Sequence, residues 1–354
     1  MPQWPVPSDL PDVTPAVVSS LAPWPREAWP RAQAPAGLGA LLDEAFEDPR
    51  YGETNAVVVV RGGAVVAERY GGLRPHFDRP AEEVGPTTEL LSWSMAKSVL
   101  HALVGILVDE GRLDPAARAP VPEWADPADP RHAITLADLL AMRSGLAFSE
   151  VYELDGASDV VEMLFGEAKA DTAGFAAAKA LVEAPGAAFR YSSGTTNIVS
   201  RIVADQVGRG EAYQRFIDER LLSPLRMAAR AEFDGRGVFV ASSFLHATAL
   251  DFARFGLLYL RGGVVDGRRV LSEEWVATAQ RPTGRDEESG EYYAWHWWVT
   301  GDAHGSYFAS GYEGQMIVVA PALDALVLRF GHTPEEAYPA LAAWRARVLD
   351  VLAG

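Results

Sequence analysis

The chain has 354 residues, 49% hydrophobic and 22% charged, enough to bury a large core as one domain or as two entwined ones. A formal charge of -17 opposes nucleic acid and anionic membrane surfaces as partners, and favours a neutral or cationic small molecule. Cysteine is absent, which removes disulfides, thiolate metal sites and cysteine nucleophiles.

The opening MPQWPVPSDLPDV has neither the basic nor the apolar region of a secretory signal, and no run of about 18 apolar residues follows, so a cytoplasmic location is expected. Residues 1–36 hold nine of the 24 prolines together with Trp4, Trp24 and Trp29. Tryptophans are costly to leave in water, so this stretch is expected to wrap the body of the protein as an arm. TNAVVVVRGGAVVAERYGG reads as a β-hairpin turning at Gly62-Gly63. A long apolar helix is expected from Ser94, and ITLADLLAMRSGL is a short helix with Gly145 past its end. TTNIVSRIVADQVGRG and HATALDFARFGLLYLRGG read as amphipathic helices stopped by glycine. YYAWHWWVTG, SYFASGYEGQMIVVAP and ALDALVLRFG read as three strands, with a last helix near 335–352. The organisation expected is the arm, an α/β domain from 37–90 with 250–354, and a mainly helical domain over 91–249.

Chemistry concentrates in LSWSMAKSVLHALVGILVDEG, residues 91–111. The chain carries three lysines (Lys97, Lys169 and Lys179) against 28 arginines, and one of the three sits in this apolar run. Arginine stays charged at any working pH, whereas a buried lysine can lose its proton and act as a base. On a helix Lys97 projects beside Ser94, three residues earlier, and a desolvated amine there can activate the hydroxyl. Ser94, Lys97, Ser98 and His101 also fit the stripe of a solvated helix face. That stripe stops at Gly105 and Val108, which favours a buried helix with one polar end at a cleft. GxSxG, HExxH and GxxxxGK[ST] motifs are all absent, so α/β-hydrolase, zincin and P-loop chemistries have no support. The aromatic run Trp295, Trp297 and Trp298 reads as core or cleft wall.

SMAK resembles the SxxK motif of serine β-lactamases and penicillin-binding proteins. ITLADLLAMRSGL, FRYSSGTTNIVSRIV and YFASGYEGQMIVVAP follow in the order of further segments of that superfamily. The likeness extends over about residues 54–350. Its SMAKS, YSSG and GYEGQ pattern is most similar to the 6-aminohexanoate-dimer hydrolases and related family VIII-type carboxylesterases. The resemblance implies an α/β (α+β) fold of the β-lactamase/transpeptidase type, an antiparallel sheet flanked by helices with an inserted helical domain. It implies a serine hydrolase acting on small carboxylic esters or linear amides through a Ser94 acyl-enzyme. Lys97 and Tyr191 would form the proton relay, and the backbone N–H groups of Ser94 and Tyr312 the oxyanion hole. Tyr152, Ser193, Ser310 and Gly311 would line the substrate site. His246, in SSFLHATALDFARFG, either lines the cleft as well or is a satisfied structural histidine. No metal or organic cofactor is required; the partner is a small ester or amide, and a homodimer stays open.

Two departures bear on substrate. Ser193 stands where class C β-lactamases have asparagine, and Ala309 where they have lysine, so efficient penicillin hydrolysis is not expected. Glu150, Glu153, Asp155 and Asp159 are either receivers of a substrate ammonium or ordinary solvated loop charges. The rival readings are a D-alanyl-D-alanine carboxypeptidase or weak β-lactamase, and a scaffold that kept the fold without its chemistry.

Overall fold

The computed structural model describes residues 16–18, 22–73, 81–152, 158–287 and 289–354. In chain order, α1 (Leu38–Glu47) precedes β1 (Glu53–Arg61) and β2 (Ala64–Tyr70). Helical segments follow, among them α2 (Ala96–Asp109), α3 (Leu136–Leu140), α4 (Asp159–Phe165), α5 (Ser193–Val207) and α6 (Ala249–Leu260). The chain then returns to strands: β3 (Gly284–Arg285), β4 (Tyr292–Tyr293), β5 (Trp298–Val299), β6 (Tyr307–Gly311), β7 (Gln315–Ala320) and β8 (Ala325–His332). Helix α7 (Tyr338–Ala353) ends it.

The eight strands form one antiparallel sheet in the order β3-β4-β5-β6-β7-β8-β1-β2, so strands far apart in sequence meet where β8 pairs with β1. Gly62 and Gly63 make the expected hairpin turn, with φ of 60° and 77°, a conformation that a side chain would strain. The unbroken run Ala56–Val60 has a physical reason in burial on both faces. Val57 and Val59 pack with Leu41, Trp344 and Val348 of α1 and α7, while Val58 and Val60 share the larger core with Phe252 and Phe255 of α6. An antiparallel sheet between helical layers is the architecture that the resemblance implies.

Two of the expected strands are each broken in two. YYAWHWWVTG divides into β4 and β5 because His296 takes φ 56° inside a turn closed by Ala294 N donating to Trp297 O at 2.8 Å. SYFASGYEGQMIVVAP divides into β6 and β7 around a 3₁₀ turn, Tyr312–Gly314, where Glu313 has φ 61° and Gly314 φ 81°. Apolar and aromatic residues flank both turns closely, which is why each segment reads as one continuous strand. Fully buried Arg329 braces the second turn, donating to the carbonyls of Glu313 and Gly314 and, on the other side, to those of Tyr51 and Glu53. Of the proline-rich stretch, Trp24 and Trp29 are buried, and the Trp24 indole donates to Leu225 O at 3.0 Å. Trp4 lies outside the described residues. Among the described residues no helix is long and apolar enough to cross a membrane.

Candidate active site

Helix α2 is buried from Ala96 to Leu107, which accounts for its apolar sequence on all sides. Its polar stripe is satisfied internally. Ser98 Oγ donates to His296 O at 2.7 Å, and His101 lies between Tyr259 and Thr278 at 2.7 and 2.9 Å. His101 is therefore core, and only Ser94 and Lys97 of the stripe reach the site. Ser94 sits in a 3₁₀ turn, Trp93–Met95, leading into α2 instead of in the helix itself. Trp93 adopts φ 45°, a strained conformation for a bulky residue, and its ring is held between Phe244 and Tyr312 at centroid distances of 6.2 and 5.6 Å.

Lys97 is 2% exposed. Its Nζ lies 2.9 Å from Ser94 Oγ, 3.0 Å from Ser193 Oγ and 2.9 Å from the Ser242 carbonyl. Desolvation lowers its pKa to about 8, against a smaller opposing pull from Glu150. Helix α5 builds the far side of this pocket twice over. Ser193 at its first turn touches Lys97 directly; Asn197, one turn on, accepts from Ser242 N and donates to Ser242 Oγ, both at 3.2 Å, and so aims the carbonyl.

Glu150 closes the network from the loop after α3. Ser193 donates to it twice, from its backbone N at 2.8 Å and from Oγ at 2.5 Å. Burial raises the Glu150 pKa, and Lys97 and the two Ser193 hydrogen bonds oppose the rise. The loop is pinned in place by Asp159, which accepts from Ser149 N at 2.9 Å and pairs with Lys179 at 2.6 Å, and by Ser158 Oγ donating to Val151 O. Of the four loop acids, then, Asp159 is engaged at the start of α4, Glu150 belongs to the lysine network, and Glu153 and Asp155 lie outside the described residues.

Tyr191 precedes α5, with its ring 4.8 Å from Lys97 Nζ and its phenol near enough to Ser94 for that hydroxyl to favour the phenolate slightly. Burial, and secondarily Glu150, push its pKa far above the ordinary 10, so the phenol keeps its proton. Tyr152 stacks on Tyr312 at 4.6 Å, with 17° between the ring planes. At the end of β6, a Cβ on Gly311 would meet Ser92 O at 2.5 Å; only glycine lets this strand lie against the residues that lead into the Ser94 turn, and the Tyr312 ring that follows packs on Trp93. Ala309 is buried on the α6 side of the sheet with Tyr307, while Ser310, the next residue, falls by alternation on the opposite face with Phe308. His246 is placed elsewhere: its Nε2 contacts Glu232 at 2.9 Å, and it takes no part in the Ser94 network.

Ser94, Lys97, Tyr191, Ser193, Tyr152 and Tyr312 thus converge. The places of Glu150, Ser242 and Asn197 in this network escape sequence reading. For Asn197 a signal was available, its i, i+4 spacing from Ser193 on one helix face. A loop glutamate has no periodicity, and Ser242 acts through its backbone.

The arrangement matches a known family. The family model for beta-lactamases matches residues 44–350. The chain belongs to the beta-lactamase family. This beta-lactamase-family chain is 29% identical over 308 residues to the 6-aminohexanoate-dimer hydrolase of Paenarthrobacter ureafaciens, spanning 80% of this chain and 73% of that protein. A Bacillus anthracis structure provisionally assigned as a 6-aminohexanoate-dimer hydrolase superposes with a TM-score of 0.72 at 20% identity, over 95% of this chain and 92% of the other. The octameric penicillin-binding protein homologue of Pyrococcus abyssi gives 0.69 at 20% identity, over 88% and 77%. These two likenesses show the β-lactamase/transpeptidase-like fold. Members of the matched family are serine hydrolases.

Proposed function

We propose that the protein hydrolyses small carboxylic esters and linear amides of the aminohexanoate-oligomer type through an acyl-enzyme on Ser94. The observation that carries this reading is the buried Lys97 amine, 2.9 Å from Ser94 Oγ with its pKa lowered to about 8. In this reading the neutral amine takes the Ser94 proton as Oγ attacks the carbonyl carbon. The backbone N–H groups of Ser94 and Tyr312 receive the developing oxyanion. Tyr191 holds its proton until the leaving group needs one, donates it, and is reprotonated from the Lys97 ammonium. Water then attacks the acyl-enzyme with the same pair reversed in role, releasing the acid.

Substrate class follows from what the site lacks as much as from what it has. Ala309 supplies no cation for a penicillin carboxylate, and Ser193 is committed to Glu150 and Lys97. Simple esters need neither anchor. The 6-aminohexanoate-dimer hydrolase relative supports linear amides as the second substrate class. Side-by-side turnover of p-nitrophenyl butyrate, an aminohexanoate dimer and a chromogenic cephalosporin tests the reading. The ester is expected to be cleaved, the dimer more slowly and the cephalosporin negligibly; a cephalosporin kcat/KM above that of the ester would overturn it.

A further inference from the structure

We infer that Glu150 is a positioning residue: by fixing the direction of the Ser193 hydroxyl, it turns the lone pair of neutral Lys97 onto Ser94. The inference rests on the proposed role of Ser94 and Lys97 and follows from counting protons. A serine hydroxyl has one proton to donate, and Ser193 spends it on Glu150 Oε1 at 2.5 Å. Toward Lys97 Nζ, 3.0 Å away, Ser193 Oγ can then only accept. The Ser242 carbonyl, 2.9 Å from the same nitrogen, is an acceptor by its chemistry.

A protonated Lys97 therefore places its three N–H bonds on Ser193, Ser242 and Ser94. When the amine is neutral, two acceptors hold its two N–H bonds and one direction remains for the lone pair, the one facing Ser94. Ser94 is the one of the three partners with a proton to give. With Ser193 free to rotate, its own O–H would compete for that lone pair and leave the nucleophile without a base.

The carboxylate also acts at longer range, favouring the ammonium that forms as Ser94 loses its proton. The titratable groups facing Lys97 are Glu150 and Tyr152 from the loop after α3, Tyr191 before α5 and His296 from the turn before β5. Tyr293 of β4 also feels Glu150. The three tyrosines stay neutral because burial raises their pKa values, and His296 stays neutral because burial lowers its own to about 3. Among these groups Glu150 is thus the one able to shift the Lys97 titration.

The test measures kcat/KM for p-nitrophenyl butyrate against pH in the wild type, Glu150→Gln, Ser193→Ala and the double variant. In Glu150→Gln the amide donates to Ser193 Oγ and releases its O–H toward Lys97. The expected result is a loss of about 10²-fold, within the range of general-base effects, with the rising limb of the profile moved to lower pH. Because Glu150 acts through Ser193, adding Glu150→Gln to Ser193→Ala should cost far less than adding it to the wild type. A loss uniform in pH with fully additive effects would overturn the inference. If Glu150→Gln does not fold, Ser193→Ala decides alone: wild-type rate with an unmoved limb contradicts the inference. Labelling of wild-type Ser94 by a fluorophosphonate keeps the two claims separate. A wild type without label or esterase activity defeats the reading of the site, whereas a labelled, active wild type matched by an equally active Glu150→Gln defeats this inference alone.

Discussion

At Lys97 one nitrogen reconciles two opposing demands: burial that strips its charge, and a carboxylate, linked through Ser193, that helps restore it. The balance lies near pH 8, with the amine charged below and neutral above. In the proposed mechanism the neutral form is the base, so kcat/KM for an ester should rise with pH through an apparent value near that point, and a flat profile from about pH 5 to 9 would contradict it. Lys97→Arg should lose about 10³-fold, because a guanidinium keeps its proton; retention of wild-type turnover would remove Lys97 from the mechanism. The pair Ser94 and Lys97 was legible in the sequence because lysine is rare in this chain and sits in an apolar run. Tyr191 was legible only through the order of the family's motifs, since a lone tyrosine after Phe189 carries no chemical signal. Glu150 stays undecided in the sequence between a receiver of a substrate ammonium and a loop charge, because nothing in a loop's sequence tells which carboxylate folds inward.

Elements hold these residues through close approaches that leave no room for change. Gly311→Ala would press a Cβ against Ser92 O, at 2.5 Å in the present backbone, and separate β6 from the Ser94 turn. A displacement of about 1 Å at the proposed oxyanion site should lower kcat roughly 10²-fold, a larger effect than on thermal stability, and measuring kcat beside Tm checks it. Arg329→Met removes the cation that ties the Tyr312–Gly314 turn to the N-terminal end of β1 and orphans the carbonyls of Glu313, Gly314, Tyr51 and Glu53. A loss of about 3 kcal/mol or more by denaturant unfolding is expected. The β1–β2 hairpin was legible from its glycine turn and helices α5 and α6 because periodicity and glycine stops agree there, while α2 was legible as a long apolar run behind one polar end. The breaks at His296 and at Glu313-Gly314 were not, because a non-glycine residue at positive φ leaves no mark on hydrophobic pattern.

Across the molecule, the interior keeps two histidines neutral, and this has a consequence for acid stability. Burial depresses His101 well below the ordinary 6.5 and His296 to about 3, so on acidification the unfolded chain takes up protons that the folded chain refuses. Their contribution is fully present above about pH 6.5 and is lost progressively as pH falls toward their folded values. Tm should therefore already fall between about pH 6.5 and 5, before most carboxylates titrate, and less steeply in His296→Asn. An unchanged slope would contradict this assignment. The sheet order, in which β8 closes on β1, was legible only through the family resemblance, because pairing across so many residues leaves no local trace. The most direct test of the whole account is the intact mass of the protein after treatment with a fluorophosphonate, followed by peptide mapping. The account predicts a single adduct on Ser94 in the wild type and none in Ser94→Ala. An adduct that persists in Ser94→Ala, or ester turnover by a wild type that takes up no label, would contradict it.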